Sequence, residues 1–362
     1  MKVVIFAGGT GRRLWPISRQ RSPKQFEPII GDRSTLQLAV ERVEDLCGLE
    51  NIFISTNERY VPLVARQLPR IAVAHLIGEP MRRDLAAAVG LSMIHLAHMA
   101  SPTDTVAILW GDNTMADVDT FRRVLTIAEQ LIQQKKADIL FIGETPRFAN
   151  ENLGWIGLGP QRGSMDGWPY YGFESLTYRP PLEECRHMMA AGSHVWNTGY
   201  FVTTVGFVCD AYRTYQPEMW ASLEEIGATI GQPDYARTLA RVYATLPEMS
   251  FDDAILTHLP AQSALVLHGE MGWSDPGTLY ALKEAISPHA EDNVTKGLVR
   301  SQASRDSLLY NYEADKLLVA IGLEGMIVVN TEDAILVVHK DHIPLVKKVV
   351  NGLEGTDLEH FS

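Results

Sequence analysis

Residues 3–26 read VVIFAGGTGRRLWPISRQRSPKQF, and the order of their parts decides the fold class. Val3, Val4, Ile5 and Phe6 form an apolar run of β-favouring residues without alternation, the pattern of a strand buried on both faces of a parallel sheet. Gly8, Gly9 and Gly11 follow at once. Lacking Cβ atoms, they let the backbone take positive φ and bring N–H groups close to a large anion. Arg12, Arg13, Arg19, Arg21 and Lys24 come next, with no acid between Thr10 and Gln25. In a chain of formal net charge −12, a basic cluster beside a glycine turn predicts a polyphosphate ligand. Taken singly, a tight connection explains the glycines and a solvated face explains the cations. The spacing excludes two common phosphate loops, since the third glycine of the dinucleotide fingerprint is missing and no Gly-Lys-Ser/Thr follows.

Outward from this stretch, residues 34–46 put Leu36, Ala39, Val40, Val43 and Leu46 on one helical face after a cap at Asp32 or Ser34. Residues 51–56 read as a second strand, 60–67 as a helix and 72–77 as a third strand ending at Gly78. This alternation predicts an α/β fold with a doubly wound, mostly parallel, Rossmann-like sheet whose ligands sit outside the carboxyl ends of the strands. Residues 78–88, with Pro80 and Arg83, follow the third strand and open a helix to about Met99. Its first N–H groups can receive a base or a phosphate, or serve a simple cap. Residues 105–113 form a fourth strand with Asp112 at its tip, where a carboxylate can hold a hard cation such as Mg²⁺ or form a turn. A helix over 119–135 and a strand over 139–142 come next, and 210–242 is mostly helical. Past residue 286 the texture changes to short β-rich pieces over 316–321, 326–330 and 334–339, then an amphipathic segment over 343–353. Two domains are expected, 1–285 and 286–362.

Composition narrows the function classes. The chain has 362 residues, 46% hydrophobic and 21% charged, enough to bury a large core. No apolar run reaches 18 residues, and Met1-Lys2 leads directly into a strand, so a cytoplasmic protein with no membrane partner is expected. The acidic balance argues against a nucleic-acid partner. Cys47, Cys185 and Cys209 lack metal-ligand spacing and read as reduced thiols.

Residues 7–26 resemble the signature of the sugar-1-phosphate nucleotidyltransferases, and Leu14-Trp15-Pro16-Ile17-Ser18-Arg19 with Pro23-Lys24-Gln25-Phe26 resembles the mannose-1-phosphate guanylyltransferase branch. The resemblance implies that Gly8, Gly9 and Gly11 wrap the nucleotide phosphates, that Arg13 and Lys24 neutralise charge at the reacting α-phosphate, and that Pro80 and Arg83 belong to a motif contacting the base. Asp84 stands there in place of Asn or Thr. Residues 105–113 are similar to a Leu-Pro-Ala-Asp-His block, with Trp110 and Gly111 for Pro-Ala and Asn113 for His. By this resemblance Asp112, with Asp275 of residues 272–278, holds the catalytic Mg²⁺. For the sugar phosphate it implies Gly154, after Leu153 where a tyrosine is common, and Asn197 of residues 194–201. It also implies Glu174, in a segment similar to a Phe-x-Glu-Lys-Pro strand. Ser175 replaces that lysine, and Arg179, four residues on, is the substitute cation or else a solvated residue before Pro180.

The reaction implied is attack by a sugar 1-phosphate oxygen on the α-phosphorus of a nucleoside triphosphate, GTP and mannose 1-phosphate by resemblance, with pyrophosphate leaving. The tail resembles a small β domain that assembles a homodimer; a packing extension gives the same texture. Asn113, Ser175 and Leu153 keep two alternatives open: a transferase for another hexose or heptose phosphate or another nucleotide, and a silent regulatory homologue that binds nucleotide sugar.

Overall fold

The computed structural model describes residues 1–9, 14–287 and 289–362, so the expectations for Gly11 and Arg13 lie outside the described residues. The chain divides into two compact units that interleave in sequence. The first comprises residues 1–8, 40–110 and 115–273; the second comprises 9–39, 111–114 and 274–362.

The first unit is built on a nine-stranded sheet: β1 (Lys2–Phe6), β2 (Ile52–Asn57), β3 (Leu76–Glu79), β4 (Thr105–Trp110), β5 (Ile139–Glu144), β6 (Gly154–Met165), β7 (Trp168–Tyr178), β8 (His194–Thr204) and β9 (Ala264–Gly269), in the order β3-β2-β1-β4-β8-β5-β9-β7-β6. Strands β3, β2, β1 and β4 are mutually parallel, as the continuous apolar run of β1 predicts. The second half is mixed. Strand β8 runs antiparallel to β4 and β5, β9 is parallel to β5, and β6 pairs antiparallel with β7. The last pairing has a local cause: Asp166 and Gly167 both take positive φ, 50° and 78°, which is the two-residue turn that matches strand twist in a hairpin. The third strand is shorter than expected. Val73–His75 forms a 3₁₀ turn with the His75 ring stacked 4.3 Å from Phe53, and Val73 remains 74% exposed.

Helices α1 (Thr35–Cys47), α2 (Val61–Gln67), α3 (Asp84–Ala97), α4 (Val118–Gln133) and α5 (Leu182–Ala191) alternate with these strands, and α6 (Val205–Tyr215), α7 (Pro217–Gly227), α8 (Tyr235–Tyr243) and α9 (Phe251–Ala254) follow β8. Residues of α3 and α6–α9 form one core with Val4, Phe6, Phe53, Val106 and Ile108, while α4 packs on β8 and β9. Close approach of α3 and α7 requires Gly90, where a Cβ would lie 2.4 Å from a Leu223 methyl. No helix is long and apolar enough to cross a membrane among the described residues.

The second unit carries β10 (Val294–Lys296), β11 (Val299–Gln302), β12 (Leu308–Asn311), β13 (Leu318–Ile321), β14 (Met326–Asn330) and β15 (Ile335–His339), with α10 (Leu279–Ile286) before them and α11 (Pro344–Asn351) after. Successive coils stack in parallel, β10 on β12 on β14 and β11 on β13, and β15 closes the stack antiparallel. Leu308, Tyr310, Ile327 and Val329 fill its core together with Leu279 and Leu282 of α10 and with Leu14, Ile17 and Ile29 of the N-terminal segment. Polar contacts tie the same segment down: Trp15 Nε1 donates to the Phe361 carbonyl at 2.7 Å, and Arg19 reaches that carbonyl and Asp333, the latter at 2.6 Å. Arg19 therefore serves packing rather than a phosphate, which corrects the reading of the basic cluster as a single ligand surface.

One buried ion cluster holds this unit. Lys283, with no exposed side-chain surface, donates to Asp306 at 2.8 Å; Lys340 reaches the other oxygen at 2.6 Å, and the Tyr280 hydroxyl donates at 2.9 Å. Burial works against an ionised Asp306, and these three donors outweigh it, holding the carboxyl below its usual range. Asp306 has φ 50°, which Asn tolerates. Asp306→Asn should therefore cost about 3–5 kcal/mol in urea titration, because it orphans the Lys283 charge. Adding Lys283→Met should recover part of that loss; equal stability of Asp306→Asn and wild type would contradict the assignment.

Candidate active site

In the second unit three residues far apart in sequence converge. Pro23 fixes an extended entry, and residues Lys24–Phe26 form a 3₁₀ turn anchored by buried Gln25 and Phe26. The Gln25 amide donates to the Gly9 carbonyl at 3.0 Å. Lys24, 8% exposed, then places Nζ 2.8 Å from Asp112 Oδ2 and 3.2 Å from Asp275 Oδ1. Burial alone would lower the Lys24 pKa; Asp112, then Asp275, reverse this and leave it raised, so the ammonium stays charged. The two aspartates are set by a short antiparallel bridge between Thr114 and Ser274, with N–H···O distances of 2.9 and 3.1 Å. The structure thus brings Asp112, Asp275 and Lys24 together.

In the first unit, Glu144 at the end of β5 is 1% exposed and accepts from the N–H groups of Met271 and Gly272, each at 3.0 Å, and from Arg147 at 2.6 Å. Arg147 also donates to the Trp273 carbonyl. These contacts shape residues 271–273, which lead directly into Ser274 and Asp275. Burial outweighs the donors and pushes the Glu144 carboxyl up to about 7.

In the first unit, Gly8 and the end of the third strand meet at Glu79. Neither Gly8 nor Gly9 takes positive φ. Their lack of a side chain instead leaves open space: a Cβ on Gly9 would meet nothing within 4 Å, and one on Gly8 would lie 3.9 Å from Glu79 Oε1. Tyr243 donates to Glu79 Oε2 at 2.6 Å. Burial, with Asp84 nearby, outweighs that hydrogen bond and pushes the Glu79 carboxyl up to about 7. Pro80 lies in the turn before α3, and Arg83 donates to the Ala244 carbonyl at the end of α8.

A cavity of about 110 Å³ opens in the same unit, with Trp110, Phe173, Leu176, Phe251, Asn197 and Asp252 among its walls. Gly154 pairs with Asn197 across β6 and β8, and Asn197 Oδ1 accepts from the Gly199 N–H at 2.9 Å. Glu174 departs from expectation. It is exposed and absent from the lining, because the β6–β7 ladder skips it between Ser175 and Phe173, which puts Phe173 on the cavity side with Leu176 and Tyr178. Arg179 has φ 50°, and its guanidinium lies 5.0 Å from the Tyr178 ring centroid. Sequence reasoning did not single out Glu79 or Glu144 as candidates, nor Tyr178 of the cavity wall. A carboxylate directly ending an apolar strand was the available signal for the first two.

Residues 2–292 match the nucleotidyl transferase family, and residues 304–353 match a MannoseP isomerase/GMP-like beta-helix domain. The chain is 30% identical over 362 residues to mannose-1-phosphate guanylyltransferase RfbM of Salmonella typhimurium, spanning 99% of this chain and 73% of that protein. It is 29% identical to mannose-1-phosphate guanylyltransferase 2 of Escherichia coli O157:H7, over 97% of this chain and 73% of the relative. Among solved structures, a Thermus thermophilus chain titled mannose-1-phosphate geranyltransferase is similar with TM-score 0.84 and 26% identity, over 98% of this chain and 99% of that one.

Lys24→Ala removes the charge on which both carboxylates converge. Turnover should fall on the order of 10²–10³-fold, by analogy with removal of one preorganised donor, with circular dichroism unchanged. Near-normal turnover in the folded variant would take Lys24 out of the machinery.

Proposed function

Because this chain belongs to the nucleotidyl transferase family, we propose that it moves GMP from GTP to a hexose 1-phosphate of the mannose type, releasing pyrophosphate. The observation that carries this reading is the convergence of Lys24, Asp112 and Asp275, since attack on a triphosphate needs charge neutralisation more than covalent help. A sugar phosphate oxygen forms the new bond to the α-phosphorus as the bond to the β-phosphate oxygen breaks. Lys24 is the protein's own cation for that charge. The same convergence speaks against a silent regulatory homologue.

The donor set fits a hard divalent cation. Two carboxylates already share one positive charge, and Mg²⁺ is commonly held by one or two carboxylates, with waters and substrate phosphates completing six oxygens. Asp112 and Asp275 would hold it, and when bound it would draw charge from the phosphate oxygens.

Glu79 supplies a reason for guanine. A carboxylate accepts from the paired N1–H and N2–H groups of guanine, whereas adenine and the pyrimidines present no such pair of donors. The acceptor must be ionised. With its pKa raised from 4.5 to about 7, Glu79 becomes fully acceptor-only above neutrality.

Pyrophosphate release measured over a panel of nucleoside triphosphates with mannose 1-phosphate and Mg²⁺ should single out GTP and stop on chelation. The KM for GTP should fall as pH rises through about 7, and Glu79→Gln should raise that KM about tenfold or more and flatten its pH dependence. The sign for stability is opposite. A raised carboxyl favours the protonated folded state, so the unliganded protein should lose stability as pH rises from about 4.5 to 7, and the Gln variant should lose less, the raised Glu144 carboxyl supplying the remainder. Equal use of ATP or UTP, or an unaltered GTP KM in Glu79→Gln, would reject the assignment to the base.

A further inference from the structure

We infer that Glu144, held by Arg147, is a positioning residue for Asp275, setting the backbone from which this metal ligand departs; this rests on the Mg²⁺-dependent transfer proposed above. Residues 271–273 run between two supports. On one edge the carbonyls of Met271 and Gly272 accept from the N–H groups of Asp117 and Ala116, at 2.9 and 3.3 Å. On the other edge a single carboxylate takes the place of a neighbouring strand: Glu144 Oε2 accepts from the Met271 N–H and Oε1 from the Gly272 N–H, each at 3.0 Å. Arg147 completes this edge, giving one N–H to Glu144 Oε1 at 2.6 Å and another to the Trp273 carbonyl at 2.9 Å. Its fork ties the carboxylate to the last residue of the segment.

Packing alone would not need this arrangement. Met271 and Trp273 are buried, and a Cβ on Gly272, at φ 63°, would lie 2.6 Å from that of Ala116, so the segment is already held close. Apolar burial is non-directional, whereas hydrogen bonds fix an angle and a distance. A carboxylate only 1% exposed also costs desolvation that an apolar side chain would avoid. The chain itself supplies the target of that precision. Trp273 is bonded to Ser274 and Met115 to Thr114, so both supported stretches continue into the Thr114–Ser274 bridge, with Asp275 one residue beyond it and Asp112 two residues before. A shift of residues 271–273 on their Glu144 edge is carried along the backbone to the Asp275 carboxylate. Mg²⁺ ligation tolerates little of it, since its oxygens sit at about 2.0–2.1 Å in near-ideal octahedral geometry.

The test compares the full-length wild type with Glu144→Gln and Arg147→Ala. Mn²⁺ is titrated without substrate and followed by the electron paramagnetic resonance of the free ion; turnover of GTP with mannose 1-phosphate is measured against Mg²⁺ concentration. Gln keeps one acceptor oxygen and turns an NH₂ toward a backbone N–H that needs an acceptor. The Arg147 side chain is 44% exposed, so its Ala variant should fold. Both variants should bind Mn²⁺ about 10–100-fold more weakly, the range that groups orienting a metal ligand command, and should need correspondingly more Mg²⁺ for half-maximal turnover. Arg147→Lys, a point charge that cannot fork between Glu144 and the Trp273 carbonyl, should fall between Ala and wild type. In the metal-free variants the amides of residues 271–273 should exchange faster with solvent than in wild type. Wild-type Mn²⁺ affinity and Mg²⁺ requirement in folded Arg147→Ala, whatever its melting temperature, would overturn this inference alone. Absence of Mg²⁺-dependent turnover by the wild type would overturn the transferase reading and the inference with it.

Discussion

A buried ammonium shared by two carboxylates is the constraint on which the second unit turns. Lys24 arrives from the N-terminal segment, Asp112 from the turn after β4 and Asp275 from the turn before α10. Leaving the buried Lys24 charge unpaired would be costly, and each of the three segments is held by contacts that fix its approach. Gln25 and Phe26 anchor the first, the Thr114–Ser274 bridge pairs the other two, and Leu14, Ile17 and Ile29 pack the N-terminal segment into the β-coil core. The coil therefore also supports the segment that carries Lys24.

The first unit carries a different kind of surface at Glu79 and the cavity, with fewer paired charges. Its parallel strands end at open backbone around Gly8 and at Glu79, whose carboxyl burial raises to about 7 against the opposing hydrogen bond from Tyr243. Its mixed half supplies the cavity walls. There the antiparallel β6–β7 hairpin and the bulge at Glu174 decide which side chains face inward, since the ladder skips Glu174 and puts Phe173 in the wall.

Much of this was legible in the sequence. The β1 run, the glycine turn and the alternation that followed specified the parallel half, because a strand buried on both faces has a distinctive composition. Lys24, Asp112 and Asp275 could be named from motifs, but only the fold brings residues separated by 251 positions into one hydrogen bond. Other features were hidden. The mixed half was missed although Asp166-Gly167 signals a hairpin, and the bulges that displace Glu174 leave no mark in a pattern of period two. The role of Arg19 was obscured because a buried structural cation and a phosphate-binding one look alike in a run of basic residues.

The proposed chemistry needs Asp112 and Asp275 to act as a pair able to exchange the lysine charge between them for a divalent cation. The most direct measurement is an anomalous difference map from crystals grown with Mn²⁺ and a non-hydrolysable GTP analogue. One Mn²⁺ peak is expected within about 2.0–2.3 Å of an oxygen from each aspartate, the reach of direct carboxylate ligation. A map in which Mn²⁺ binds the triphosphate without either aspartate, while Lys24 still bridges the two carboxylates, would contradict that role.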